Sequence, residues 1–392
     1  MTASLTEQFD RFIQGQDPNA EKFAVEVVDY LLRLASDSQA SDLHLIPQPH
    51  ANDASKNQLL VLARMDGVLQ QVGVIGDRAE NVIARLKVQA GLLTYRTDVP
   101  QEGRLKQTLA ELEIRVSIFP TIHGEKAVVR LFVGSGGYQS LEDLGLPNEV
   151  LNSLRGLLSA TSGLGIVCGP AGSGKTTTLY ASLREIRNRA DFAKSLCTLE
   201  DPVEAVLDGV SQSQVKPGTD FDFEHGLKSL MRQDPEVIMV GEIRDRETAR
   251  VAFQASLTGH LVLSSFHAGN AADAVSRLLD MSIEPYVLRS GLIGVLAQRL
   301  LRQSCGCESG CERCRHTSYR GRLAVAEFLD PNQPGLREAI LNRSDARTIY
   351  DAAITNGMTS ILESARAEVA AQRTTAEEFR RVFGLSVDPT HA

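Results

Sequence analysis

The 392-residue chain has no uninterrupted apolar run long enough to span a bilayer, and Met1 to Asp10 lack the basic-then-apolar order of a secretory signal. These absences argue against a membrane-spanning or exported chain and set the expectation of a cytoplasmic protein. Positive charge is not in excess either: 41 Lys and Arg stand against 49 Asp and Glu, for a net charge of −8. Sequence-independent binding to nucleic acid draws on Lys and Arg displacing phosphate counterions, so no specific nucleic-acid partner is expected. Six cysteines in a chain of this length are too few for the disulfide framework of a small secreted domain. Internal repeats and low-complexity tracts are also missing. What remains is an ordinary globular composition, 43% apolar and 23% charged, with length for two or three domains.

After a polar segment over 1–20, Phe23, Val27, Leu31 and Leu34 recur at helical spacing. Leu59 to Met65 and Val68 to Val74 flank Asp66-Gly67, a hairpin signal. Asp77 and Glu80 read as the capping pair of a helix carrying Val82, Ile83, Leu86, Ala90 and Leu93. Strand-like runs at Glu113 to Ile118 and Lys126 to Val133 complete a small α/β domain over 21–133. Residues 134–140, rich in Gly and Ser, read as a linker. In 141–392, short apolar runs (Gly165 to Cys168, Leu196 to Leu199, Val237 to Val240, Leu261 to Ser264) alternate with helical patterns, which predicts a mostly parallel sheet covered by helices. The pattern is helical over 331–385.

Gly169-Pro170-Ala171-Gly172-Ser173-Gly174-Lys175-Thr176 fits the phosphate-binding loop pattern in full, between a strand-like run and a helical pattern from Thr177 to Ile186. The glycines let backbone N–H groups converge on a phosphate, and the helix adds its positive end. Lys175 is expected to bridge the β- and γ-phosphates of ATP, and the Thr176 hydroxyl to ligate Mg2+. Ligands collect at the carboxyl ends of parallel strands, which draws attention to Thr198 to Glu204 and Val237 to Asp245. We assign Glu200 to the attacking water and Glu242 to the Walker B role, with the two roles exchangeable. Asp201, Glu204 and Asp245 read equally well as functional acids or as capping and solvated ones. His260 and His267 bracket Leu261 to Ser265, so that one of them could contact phosphate or sense its loss, although a lone histidine is more often a packing residue.

Cys305, Cys307, Cys311 and Cys314 place four thiols within ten residues, the donor set of a tetrahedral zinc site. A reduced thiol patch, or His316 replacing one sulfur, are the alternatives. Cys168 and Cys197 sit in predicted strands and read as buried packing residues.

Together these motifs resemble the secretion and pilus ATPases of type II secretion and type IV pilus systems, over about Ala40 to Gly384. Gly169 to Thr176 is similar to that family's Walker A box, Glu200 to Glu204 to its Asp box, Gly241 to Thr248 to its Walker B box, and Thr258 to His267 to its His box. Ala40 to His44, Arg64 to Gly67, Pro100 to Arg104 and Arg115 to Ser117 resemble its N-terminal stretches. The resemblance implies a RecA-like P-loop ATPase domain with a smaller N-terminal α/β, PAS-like domain. It implies a homo-hexameric motor holding ATP and Mg2+ between the domains, with Gly169 to Thr177 and His260 at the nucleotide. Lys175, Glu200, Glu242 and His267 would be catalytic, joined by Arg104 and Arg115 as γ-phosphate contacts. An inner-membrane platform protein is the implied partner, and the chain would associate with that membrane only through partners. About forty residues precede the match, fewer than in longer assembly members, while the similarly short retraction ATPases generally lack a cysteine cluster. The cluster therefore tilts the reading toward assembly or secretion, with a retraction motor or a regulatory ring of negligible turnover as alternatives.

Overall fold

The computed structural model describes residues 4–50, 53–105, 113–132, 140–189, 194–216, 218–307 and 310–387. The described residues fall into two compact units, one within Met1–Gly134 and Cys305–Gly321, the other within Ser135–Ser304 and Arg322–Ala392. The expected linker over 134–140 lies, save for Ser140, outside the described residues.

The first unit opens with α1 (Leu5–Gln14), where the reading from sequence gave only a polar lead-in. Ser4 and Glu7 form a reciprocal capping box, and the fully buried Phe9 anchors the helix. The Phe9 ring leaves so little room at Gly73 that a Cβ there would come within 2.3 Å of it. α2 (Phe23–Asp37) buries Phe23, Val27, Leu31 and Leu34, as their spacing predicts. Next come β1 (Asp42–His50), β2 (Asp53–Met65) and β3 (Val68–Ile75). The β2–β3 hairpin turns at Asp66-Gly67 with φ of +47° and +84°, and Met65 pairs with Val68.

α3 (Ala79–Gln89) turns Val82, Ile83 and Leu86 inward, but the Asp77–Glu80 cap is not formed. Arg78 occupies the cap position in left-handed backbone, which displaces Asp77 one residue too early, and Leu93 lies beyond the helix and exposed. β4 (Gln101–Arg104), β5 (Glu113–Thr121) and β6 (Gly124–Phe132) complete an antiparallel sheet in the order β3-β2-β1-β6-β5-β4. Pro47 and Pro49 hide the strand character of β1, and both fall beyond its pairing with β6, which spans Asp42 to Leu45. One face, with Leu43, Leu45, Val61, Ala63, Val116 and Val129, packs with α2 and α3 into the core of this unit. On the other face Arg104, Arg115, Arg130, Asp42 and Arg64 stand opposite one another in register across five strands.

The second unit begins with α4 (Asn148–Leu158), β7 (Gly163–Cys168), α5 (Lys175–Arg189), β8 (Leu196–Glu200) and β9 (Ser211–Gln214). It continues through α6 (Phe223–Leu230), β10 (Val237–Glu242), α7 (Arg246–Leu257), β11 (Leu261–Phe266), α8 (Ala271–Asp280) and α9 (Pro285–Gly291). β12 (Leu292–Ser304) and β13 (Tyr319–Leu329) precede four helices, α10 (Leu336–Leu341), α11 (Ala346–Thr355), α12 (Ile361–Ala370) and α13 (Ala376–Phe383). The sheet order is β13-β12-β7-β11-β10-β8-β9, parallel at every junction from β12 to β9. β7, β8 and β11 are buried at every residue, which is why they read as short, mostly apolar runs instead of alternating ones. This is the RecA-like α/β arrangement, with β7 near the centre delivering the phosphate-binding loop. No helix among the described residues is long and apolar enough to cross a membrane.

Candidate nucleotide site and cysteine cluster

β7 ends at Cys168 and α5 starts at Lys175, so Gly169 to Gly174 form the loop between a buried strand and a helix N-terminus. Gly172 and Gly174 have φ of +73° and +89°, open to glycine at little cost. A Cβ on Gly169 would come within 2.6 Å of the Gln298 carbonyl oxygen. Lys175, 9% exposed, donates from Nζ to Gly169 O at 3.0 Å and Pro170 O at 2.9 Å. Burial pulls its pKa below the usual lysine value, and the Glu242 carboxylate opposes that shift. Ser173 Oγ is buried without a hydrogen-bond partner. Pro170 and Ala171 are exposed at the tip of the loop, and Thr176 and Thr177 are half-buried behind it. With Gly172, Gly174 and Lys175, these threonines line a cavity of about 280 Å³. Glu204 and Arg322 add charge to its wall, and Leu144, Leu300 and Ala324 make it partly apolar. A buried lysine, a threonine hydroxyl and a glycine-rich turn at a helix N-terminus are the donor set that a magnesium-bound nucleotide needs.

Three of the residues singled out from sequence come together here. Glu242 ends β10, is ion-paired with Arg244, lies 3.5 Å from His267 Nε2 and acts electrostatically on Lys175. His267, 51% exposed just after β11, has its pKa lowered by burial and by Lys175 against the pull of Glu242, so it is neutral at pH 7.

Glu200 is placed differently. It is 3% exposed and its carboxylate accepts from Tyr180 Oη at 2.5 Å, Thr198 Oγ1 at 2.6 Å and Gln212 Nε2 at 3.1 Å. Tyr180 Oη in turn accepts from the N–H groups of Glu204 and Ala205, at 3.2 and 3.4 Å. Glu200 therefore anchors the turn that carries Glu204 to the cavity. Burial and the bond to Glu200 raise the Tyr180 pKa, keeping the hydroxyl protonated. Asp245 is the N-cap of α7, accepting from Thr248 N at 2.8 Å, and Asp201 lies 3.9 Å from Arg244.

His260 precedes β11, at the opposite end of that strand from His267, roughly 20 Å away at the usual rise per residue. Its Nδ1 lies 2.9 Å from Ala255 O at the end of α7, so the second unit does not bring it to the loop. Arg104 and Arg115 are direct partners on β4 and β5 of the first unit, in the row of arginines around Asp42. Sequence reading missed Tyr180, Gln298 and Arg299. Arg299 donates to Gly269 O at 2.5 Å and so holds the loop after His267. A glutamine and an arginine inside the apolar run Val295 to Leu301 were the available signal.

The sulfurs of Cys305, Cys307, Cys311 and Cys314 all lie within 4.8 Å of one another, with Cys305–Cys311 at 3.7 Å and Cys307–Cys314 at 3.5 Å. A tetrahedral ion with 2.3 Å arms needs sulfur–sulfur edges of about 3.8 Å, so the four fit zinc without His316. The Cys314 N–H draws the Cys311 thiol down to about 6, while burial and bonds to its neighbours push Cys305 up to about 12. Gly306 and Gly310, at φ +73° and +89°, bend the short chelate. The cluster clusters with the first unit, where Arg315 donates to Ser38 O and, at 3.2 Å, to Asp37 O at the end of α2. Cys168 and Cys197 are buried in β7 and β8, and burial raises the Cys168 pKa, so that thiol stays protonated and inert.

Known proteins share this architecture. Type II secretion system protein HxcR of Pseudomonas aeruginosa is 40% identical over 374 residues, covering 91% of this chain and 77% of that protein. Type IV pilus assembly ATPase TfpB of Acinetobacter baylyi is 36% identical over 408 residues, covering 95% and 68%. The crystal structure of the pilus retraction motor PilT with bound ADP superposes with a TM-score of 0.63 at 25% identity, covering 92% of this chain and 97% of that one. The pattern shared by the family described as "Type II/IV secretion system protein" matches residues 18–381, and the chain belongs to that family.

Proposed function

We propose that this chain hydrolyses ATP, with Mg2+, and couples the reaction to mechanical work in a type II secretion or type IV pilus-like system. The observation that carries the reading is the convergence of Lys175, Glu242 and His267 on a glycine-rich loop at a helix N-terminus. In this mechanism the loop N–H groups and Lys175 hold the β- and γ-phosphates. Thr176 holds Mg2+, which supplies charge neutralisation at the transferring phosphoryl group. Glu242 orients the attacking water, the role expected of Glu200, because the Glu200 carboxylate is buried and already engaged. Glu204, carried by the Tyr180–Glu200 brace, is available to Mg2+ through water. Neutral His267 reports the state of the γ-phosphate to Glu242. His260 has a packing part only.

The chain works as a homo-hexamer on the cytoplasmic side, with an inner-membrane platform protein as its partner. The four cysteines hold a structural Zn2+, and together with relatives such as HxcR they favour secretion or assembly over retraction. Steady-state phosphate release by the purified protein tests the reading. Turnover is expected in the wild type and lost in Lys175→Ala; a folded wild type that releases no phosphate from Mg-ATP overturns it.

A further inference from the structure

β12 carries Gln298 and Arg299 within an otherwise apolar stretch, Val295-Leu296-Ala297 before them and Leu300-Leu301 after. Gln298 is 2% exposed, and an amide buried to that degree must find partners. Both ends of it are used. Nε2 donates to the Ser173 carbonyl at 2.6 Å, and Oε1 accepts from Thr178 Oγ1 at 2.9 Å. The orientation follows from chemistry: a carbonyl only accepts, so the nitrogen must face Ser173, which leaves the oxygen for the hydroxyl. The amide thus spans the phosphate-binding loop and the first turn of α5.

The bond to Ser173 has a directional consequence. In a trans peptide the C=O and the following N–H point to opposite sides. Anchoring Ser173 O toward β12 therefore turns the Gly174 N–H away from β12. That N–H has no acceptor among the described residues. A P-loop offers such N–H groups to phosphate oxygens. Were the 173–174 peptide reversed, a carbonyl oxygen would face the phosphates in place of a donor. Gly174 permits the required backbone at φ +89°, and the fit is close enough that a Cβ there would come within 2.9 Å of Gln298 Nε2.

We infer that Gln298 is a positioning residue for nucleotide binding, holding the Ser173–Gly174 peptide with its N–H toward the phosphates. The inference rests on the ATPase reading above. It assigns Gln298 to the β-phosphate, which ADP and ATP share, and not to the chemical step.

The test compares Gln298→Leu, which has no amide, with Gln298→Glu, which keeps the shape but sets a carboxylate oxygen against Ser173 O. Dissociation constants for ADP and for a non-hydrolysable ATP analogue are measured by calorimetry on the full chain. Both ligands are expected to weaken by about tenfold or more, by the same factor, in both variants. KM for ATP should rise while kcat at saturation stays within about threefold. A purely structural part for Gln298 predicts something else: fewer competent sites, each with wild-type affinity, and that result overturns the inference. So does wild-type affinity in either folded variant. If neither variant folds, Thr178→Val decides, since it frees Oε1 and should weaken ADP in the same direction; unchanged affinity there also overturns it. A wild-type protein that binds neither ligand overturns the ATPase reading and this inference together, whereas wild-type binding with unaffected variants overturns this inference alone.

Discussion

Replacing Glu242 with glutamine should separate nucleotide binding from hydrolysis. The side chain lies between Arg244 and His267 and is the carboxylate that supports the buried ammonium of Lys175. The amide keeps the size but can no longer take a proton from water, and water activation by a positioned base is worth about 10²–10⁴ in rate, or about 3–5 kcal/mol of barrier. Binding should move the other way. Removing a negative charge near a polyanion relieves about 1–2 kcal/mol at an effective dielectric near 20 across ~10 Å, so ATP should bind up to about tenfold more tightly. A pH signature accompanies the change. Burial already lowers the Lys175 pKa, and loss of Glu242 lowers it further, so nucleotide binding should decline at a lower pH in Glu242→Gln than in the wild type as pH rises. Phosphate release and calorimetric titration between pH 7 and 10 give all three readouts. Turnover within about threefold of the wild type, with binding intact, would refute the role given to Glu242.

Tyr180→Phe removes the hydroxyl that joins Glu200 to the N–H groups of Glu204 and Ala205, and should cost about 1–3 kcal/mol of stability in urea along with a lower kcat. Wild-type values for both would remove the brace from the account. Elemental analysis should find about one zinc per chain, lost in Cys314→Ser. Arg315→Ala should keep the metal but raise hydrogen exchange at the end of α2, where the Arg315 guanidinium meets Ser38 and Asp37; unchanged exchange would show that this contact does not hold the helix end. Burial pushes the Glu378 carboxyl up, yet its bonds to Arg381 and Arg302 outweigh that and hold it below the usual range. Its contribution is present above the unfolded pKa of about 4.3 and is lost as pH falls through the folded value, so Glu378→Gln should flatten the acid limb of stability against pH. An acid limb as steep as that of the wild type would contradict this.

Much of the architecture was legible because it rests on local chemistry. Asp66-Gly67 readily takes the positive φ angles of a two-residue hairpin turn, Phe23 to Leu34 bury one face of a helix at a spacing of 3.6, and Gly169 to Thr176 encode their own loop. β1 was missed since its prolines speak against a strand until its neighbours are known, whereas α1 did carry a signal, Leu5, Phe9, Phe12 and Ile13 at helical spacing, among the polar residues around them. The cap at Asp77 failed by one residue because a cap depends on backbone angles that composition does not reveal.

The sequence by itself determined that a phosphate-binding loop stands at the head of a parallel sheet, and that four thiols lie close enough along the chain to share one ion. Both follow from residues adjacent in the chain, whose separation is limited by bond lengths alone. Tertiary structure decided which acids face Lys175. Glu200 and Glu242 each end a strand with similar neighbours, but only packing gives Tyr180, Thr198 and Gln212 to one and Lys175 and His267 to the other. It also decided that His267, and not His260 at the other end of the strand, lies beside Glu242, and that Gln298, 125 residues from Ser173, sits beneath the loop. Such contacts depend on strand order and register, and no local pattern of residues carries that information.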